Sequence, residues 1–99
     1  FGLSTIERWY YIARRAAELM ELAREVTEIG NANAASDGAC AAQALSAAVW
    51  SATYNVEINA AALKDPAKAQ TLRDEVSALR AHAEALLDAT NVAFGARLG

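Results

Sequence analysis

The chain is poor in the residues that staple, bend or ligate a fold. Its 99 residues include one cysteine, one proline, one histidine and one methionine. A lone Cys40 excludes an internal disulfide framework and fits a reducing compartment. No Gly-rich phosphate loop, dinucleotide fingerprint or zinc-ligand spacing occurs. A basic stripe is missing as well. Nine Lys and Arg stand against twelve Asp and Glu, a formal charge of −3, so nucleic acid is not an expected partner. The opening residues Phe1-Gly2-Leu3-Ser4 lack the basic and apolar regions of a secretory leader, and the reading is cytoplasmic. They also lack an initiator Met, so the chain is read as processed, as a fragment or as part of something longer. Charge is absent from Gly38 to Val56, a stretch long enough to be tested as a membrane span. Gln43, Ser46, Ser51, Thr53, Asn55 and many alanines make its transfer to lipid weak, so a helix packed among other helices is expected and no membrane association is.

What is present is alanine. Hydrophobic residues make up 55 %, much of it Ala, the best helix former but a small contributor to burial. The expected fold is all-α, a single segment over residues 1–99 with three long helices. The first is predicted from Ser4 to Ile29. Ser4 and Glu7 match a capping box, and Ile6, Trp9, Tyr10, Ala13, Ala16, Ala17, Met20, Ala23 and Val26 trace one stripe. Arg14 with Glu18 and Arg24 with Glu28 are spaced for exposed ion pairs, and Gly30 stands where a left-handed cap belongs. The second helix is predicted from Ser36, as N-cap, to Leu63, with Asp37 in its first turn. Trp50 and Tyr54 are its bulky residues, four apart on one face. Asp65-Pro66 breaks the pattern and opens a third helix that runs to Phe94. Its seam is Leu72, Val76, Leu79, Ala83, Leu86 and Thr90, stepping by four and three. Two partners poorly cover a middle helix that is apolar all round. The segment is therefore expected to be part of a larger up-and-down bundle, completed by more chain, by a second subunit or by both.

One cluster is dense in polar groups: Asn31, Asn33, Ser36 and Asp37, between Gly30 and Ala39. It has a capping reading, with Asn31 in the turn and Ser36 or Asp37 at the helix start. It also has a functional reading, a polar pocket whose amides orient a heterocycle while Asp37 faces a cation or activates water. A second cluster, Asn55-Val56-Glu57-Ile58-Asn59, puts two amides on one face. Asp37 and Asn55 share a face yet lie ~27 Å apart along a straight helix. The clusters are separate features, or they meet across an antiparallel partner.

The series Gly30-Asn31-x-Asn33-x-x-Ser36-Asp37, then Asn55-Val56-x-Ile58-Asn59 and Leu63-x-Asp65, resembles the C-terminal half of the formiminotransferase-cyclodeaminase family's cyclodeaminase domain. The stand-alone methenyltetrahydrofolate cyclohydrolases belong to the same family. The helix before Gly30, with Arg14 and its acidic run, is similar too, so the resemblance spans nearly the whole chain from about residue 9. It implies an all-α, usually dimeric protein of folate one-carbon metabolism, with a tetrahydrofolate derivative as substrate and no metal. One family activity closes 5-formiminotetrahydrofolate to 5,10-methenyltetrahydrofolate with loss of ammonia; the other hydrolyses the methenyl bridge. By this resemblance Asp37 and Asn33 are the candidate catalytic residues, and Asn31, Ser36, Asn55 and Asn59 the candidate substrate-binding residues. Family domains are about twice this length and carry a Pro-Gly-Gly-Gly-Ser-like stretch that is missing here. Asp37-Gly38-Ala39 replaces a usual Asp-Ala-Gly step, and Trp9-Tyr10-Tyr11 a Val-Pro-Leu-like segment. Activity is therefore expected if a homodimer or a complementary chain supplies the missing half. The rival reading is a non-catalytic helical interaction module that keeps the motifs as caps and packing.

The remaining candidates read structurally. His82 is expected at the surface beside the third seam, and Cys40 as a small buried hydrophobe. Trp9, Tyr10 and Tyr11 read as packing before pterin stacking, and Arg14 and Arg15 as a solvated face before a site for the glutamate tail of folate.

Overall fold

A computed structural model describes residues 4–99. The sequence reading of the first three residues lies outside this range. Three helices follow one another: α1 (Thr5–Ile29), α2 (Ala32–Ala60) and α3 (Pro66–Arg97). No strand occurs among the described residues, and the fold is all-α as expected. The helices run up, down and up in an elongated bundle whose Cα extents are 53 × 23 × 15 Å. Every pair of helices is in contact, and each helix keeps a solvent face.

Local chemistry sets the helix ends. Ser4 Oγ accepts from Glu7 N at 3.1 Å and starts α1 as expected. Gly30 ends it, but in an extended conformation (φ −75°, ψ 167°) rather than the expected left-handed one. The reason is the brevity of the link. Only Gly30 and Asn31 separate α1 from α2, and Asn31 Oδ1 already caps the next helix by accepting from Ala34 N at 2.9 Å. The expected cap at Ser36 is therefore corrected. Ala32, Ala34 and Ala35 are strong helix formers with no Pro or Gly among them, so the cap falls five residues early. Asp65 Oδ1 accepts from Ala67 N and Lys68 N at 3.0 and 3.3 Å, with Pro66 in the first turn of α3, as read from the sequence. α2 stops at Ala60 rather than Leu63, and α3 continues past Phe94 to Arg97, whose guanidinium donates to the Glu28 carbonyl. That contact brings a cation to the C-terminal end of α1, whose own last turn has no basic residue.

The core is small-residue packing. Ala16, Ala17, Met20, Val49, Ala83 and Leu86 form its centre, with Leu45, Ala48, Leu79 and Leu87 packed against it. The α3 seam is buried at Val76, Ala83, Leu86 and Thr90. Val26 was expected on the α1 stripe but is exposed, and Thr27 takes the buried place, its hydroxyl bonded to the Ala23 carbonyl at 2.8 Å. Arg24 pairs with Glu28 as expected, whereas Glu18 is taken by Arg15 and not by Arg14. α2 is the most buried helix, yet only along the sides facing α1 and α3. Cys40 is exposed on its open side, which corrects the buried reading.

Two contacts fix how the helices sit. Gly38 lets α2 approach α1: a Cβ there would lie 2.3 Å from Thr27 Oγ1 and 2.9 Å from the Ala23 carbonyl. Arg80 joins α3 to α2. Its Nε donates to Thr53 Oγ1 at 2.9 Å, its Nη1 to Glu57 Oε1 at 2.5 Å, and its guanidinium carbon lies 4.4 Å from the Trp50 ring centre and 5.2 Å from that of Tyr54. Nη2 is buried without a hydrogen-bond partner, a cost that stacking on two rings offsets.

Gly38→Ala is expected to lower stability by about 1–3 kcal/mol, because overpacking a helix crossing outweighs the ~1 kcal/mol gained in helix propensity. Gly95→Ala meets nothing within 4 Å and is expected to be neutral or stabilising. Urea unfolding of both variants checks the pair, and equal behaviour would refute the close-approach argument. Arg80→Ala is expected to cost about 2 kcal/mol, from a charge-assisted bond and two ring contacts made in partial burial. Arg80→Lys should recover less than half of that, since an ammonium cannot fork between Thr53 and Glu57 while stacking. Thermal melts followed by circular dichroism measure both.

Candidate functional site

Because α2 begins at Ala32, the polar cluster is not a loop. Asn31 is a cap, and Asn33, Ser36 and Asp37 lie on the first two turns of a helix. Their directions then follow from helical geometry. Asn33 and Asp37 are four residues apart and share a side, whereas Ser36 is turned about 100° away from Asp37. Asn31 has its Oδ1 committed to Ala34 N, and Asn33, Ser36 and Asp37 are all exposed.

Asp37 borders a groove between α1 and α2. Leu19, Leu22, Ala23 and Val26 form one wall, and Asp37, Gly38, Ala41 and Leu45 the other, around a cavity of about 320 Å³. Every lining residue but Asp37 is apolar or glycine. The groove adjoins the close approach at Gly38, which lines it, and Leu19, Leu22 and Leu45 extend its walls. Asp37 makes no hydrogen bond or ion pair among the described residues, so both carboxylate oxygens are open to a ligand.

Asn55 and Asn59 do not join this groove. They lie near the far end of the same unbroken helix, ~27 Å from Asp37 in the case of Asn55. Each Nδ2 donates to the carbonyl four residues earlier, Asn55 to Ser51 at 3.0 Å and Asn59 to Asn55 at 2.7 Å. Each Oδ1 acceptor remains outside these bonds. Residue choice alone did not reveal the groove's second wall: Leu19, Leu22 and Val26 belong to an exposed row, Ile12, Leu19, Leu22, Val26 and Ile29, that steps by seven, three, four and three. That spacing was the available signal.

The other candidates are structural. His82 is exposed, with Nε2 3.2 Å from Glu21 Oε1. Trp9 and Tyr10 are half-buried and Tyr11 is exposed, away from the groove wall. Burial raises the Tyr10 phenol above its ordinary value, Glu75 adds to the rise and Arg14 opposes it. No group of three or more His, Cys, Asp or Glu among the described residues could hold a metal ion. Among them, no helix is long and apolar enough to cross a membrane.

No curated protein and no solved structure matches the chain. The family model of formiminotransferase-cyclodeaminase matches residues 5–78, which takes in α1, α2 and the first part of α3, and with them every candidate site residue. The chain therefore belongs to the formiminotransferase-cyclodeaminase family, a family of folate one-carbon metabolism.

Proposed function

We propose that this chain forms one wall of a reduced-folate site and acts there as a cyclodeaminase or methenyltetrahydrofolate cyclohydrolase once the site is covered. The observation that supports this is Asp37, the one charged side chain on an otherwise apolar groove. A reduced pterin has ring faces that can lie on an apolar wall, and its methenyl form carries a delocalised amidinium cation. An apolar cleft with a single carboxylate at its edge is complementary to both features. In hydrolysis water adds to the cationic bridge carbon and makes it tetrahedral, and in ring closure N10 adds to the formimino carbon, whose tetrahedral form expels ammonia to give the cation. In either reaction Asp37 stabilises the charge and moves a proton. Asn33, on the same side of α2, orients the heterocycle or the attacking water. Asn31 contributes by holding the start of α2 in place.

The groove is open on one side. A second copy or a complementary chain is needed to exclude water from it. In isolation the uncovered groove favours the rival reading, a non-catalytic helical module that binds partners. The reduced-folate ligand and the single unpaired thiol suit the cytoplasm.

Asp37→Asn is expected to lower turnover of 5,10-methenyltetrahydrofolate, or of 5-formiminotetrahydrofolate, by roughly 100-fold or more, the usual scale for a positioned acid–base or electrostatic group. Since Asp37 is exposed and is not the cap, its stability should move by less than about 0.5 kcal/mol. Asn33→Ala should mainly weaken folate binding, raising KM with a smaller change in kcat. Kinetics and thermal melts on both variants, in the assembled protein, make the test. Unchanged turnover in Asp37→Asn would overturn the catalytic assignment.

A further inference from the structure

The groove between α1 and α2 carries opposite charge at its two ends. Arg15, Leu19, Leu22 and Val26 step by four, three and four, so they share one face of α1. The last three line the groove, and Arg15 continues their row one turn, ~6 Å, beyond Leu19. Arg8 is exposed on the same face, seven residues earlier. The other end is acidic. Gly38 meets α1 at Ala23 and Thr27, which sets Asp37 beside that level. Glu25, exposed one turn from Leu22, adds negative charge there. Between the ends the lining is apolar, Leu19 and Leu22 on one wall and Ala41 and Leu45 on the other.

The spacing of the two ends is set by the helices. Arg15 and the level of Asp37 are roughly ten residues apart along α1, or ~15 Å. The guanidinium closes part of that distance. It bends toward the groove, where Nη1 lies 2.8 Å from Glu18 Oε2. About 10 Å of apolar groove then separates the cation from the carboxylate along the axis.

We infer that Arg15 reads the anionic end of an elongated, bipolar ligand whose cation lies at Asp37. The inference rests on the reduced-folate reading and gives that ligand a direction. The bridge carbon lies at Asp37, the p-aminobenzoyl ring on Leu19, Leu22 and Leu45, and a glutamate carboxylate on Arg15. A guanidinium suits this role because it offers a carboxylate two N–H donors at once. Its present partner is readily exchanged. The Arg15 and Glu18 side chains are 60 % and 50 % exposed, and an ion pair so open to water holds weakly. Arg14 does not share the role. It is turned about 100° from Arg15 and stands beside Tyr10, which Glu75 of α3 also faces. A ligand laid the other way would set its cation against Arg15 and its carboxylates against Asp37 and Glu25, repulsive at both ends.

The test compares 5-formyltetrahydrofolate with the same folate amidated at both glutamate carboxylates, by titration calorimetry on the assembled protein. The two differ in charge and hardly in shape. The wild type should bind the acid about 5-fold more tightly, the scale of one charge-assisted contact open to water on one side. Arg15→Ala should bind both as the wild type binds the amide, and Arg15→Glu should prefer the amide. Glu18→Gln should widen the wild-type preference by releasing Arg15, and Arg14→Ala should keep it. Arg15 is exposed, so its variants should melt with the wild type. Equal binding of acid and amide by the wild type, or a preference that survives Arg15→Ala, overturns the inference while the binding itself upholds the folate reading. An equal loss of both ligands in Arg15→Ala marks a structural role and overturns it too. 4-Amidinobenzoylglutamate and its diamide, bipolar but not folates, separate the two ideas. An Arg15-dependent preference for that acid, with no folate bound, supports the bipolar groove and overturns the folate reading. Binding of neither probe overturns both.

Discussion

The approach of α2 to α1 at Gly38 is the constraint on which the rest of the structure depends. Thr27 Oγ1 and the Ala23 carbonyl occupy the space a Cβ would need, so the two backbones come close there. Gly38 also lines the apolar groove, so the close contact and the cleft adjoin. The glycine also stands next to Asp37. The packing that draws the helices together thereby sets a carboxylate at the rim of an apolar cleft.

Alanine explains the shape. A core of Ala16, Ala17 and Ala83 around Met20, Val49 and Leu86 allows close helix packing but removes little surface per residue from water. Long-range polar contacts make up part of the difference. Arg80 clasps Thr53 and Glu57 and covers two aromatic rings, and Arg97 reaches the end of α1. These bonds tie α3 along both neighbours while leaving the opposite side of α1 and α2 bare. Exposed Ile12, Leu19, Leu22, Val26 and Ile29 on that side are more apolar surface than a lone small domain ordinarily shows.

Much of this was legible in the residues. The three helices, the Asp65-Pro66 start and the α3 seam follow from spacing and capping chemistry, and they were read correctly because those signals are local. The start of α2 was misread because two competing caps, Asn31 and Ser36, stand five residues apart, and alanines between them leave propensity to decide. Val26 and Thr27 were exchanged because a stripe fixes a face only to within about one residue, and a threonine that returns its hydroxyl to the helix passes as apolar. Arg80 as a clasp could not be foreseen. Its partners are 23 and 27 residues away in sequence, and no short-range pattern encodes a fork over Trp50.

The misread cap also changes how the polar residues must be understood. In a loop, Asn31, Asn33, Ser36 and Asp37 converge on one point. On a helix they spread: Asn33 neighbours both Ser36 and Asp37, while those two stand about 100° apart. A helix that runs unbroken from Ala32 to Ala60 likewise keeps Asn55 and Asn59 from folding back toward them. Rigid helices can bring residues from distant turns to one place only through another element lying alongside. The candidate site residues are thus divided between the two ends of one rod, and their convergence would require a second rod running the other way. The α2 flank that carries both clusters borders the side that α1 and α3 leave open, where such a rod has room to lie.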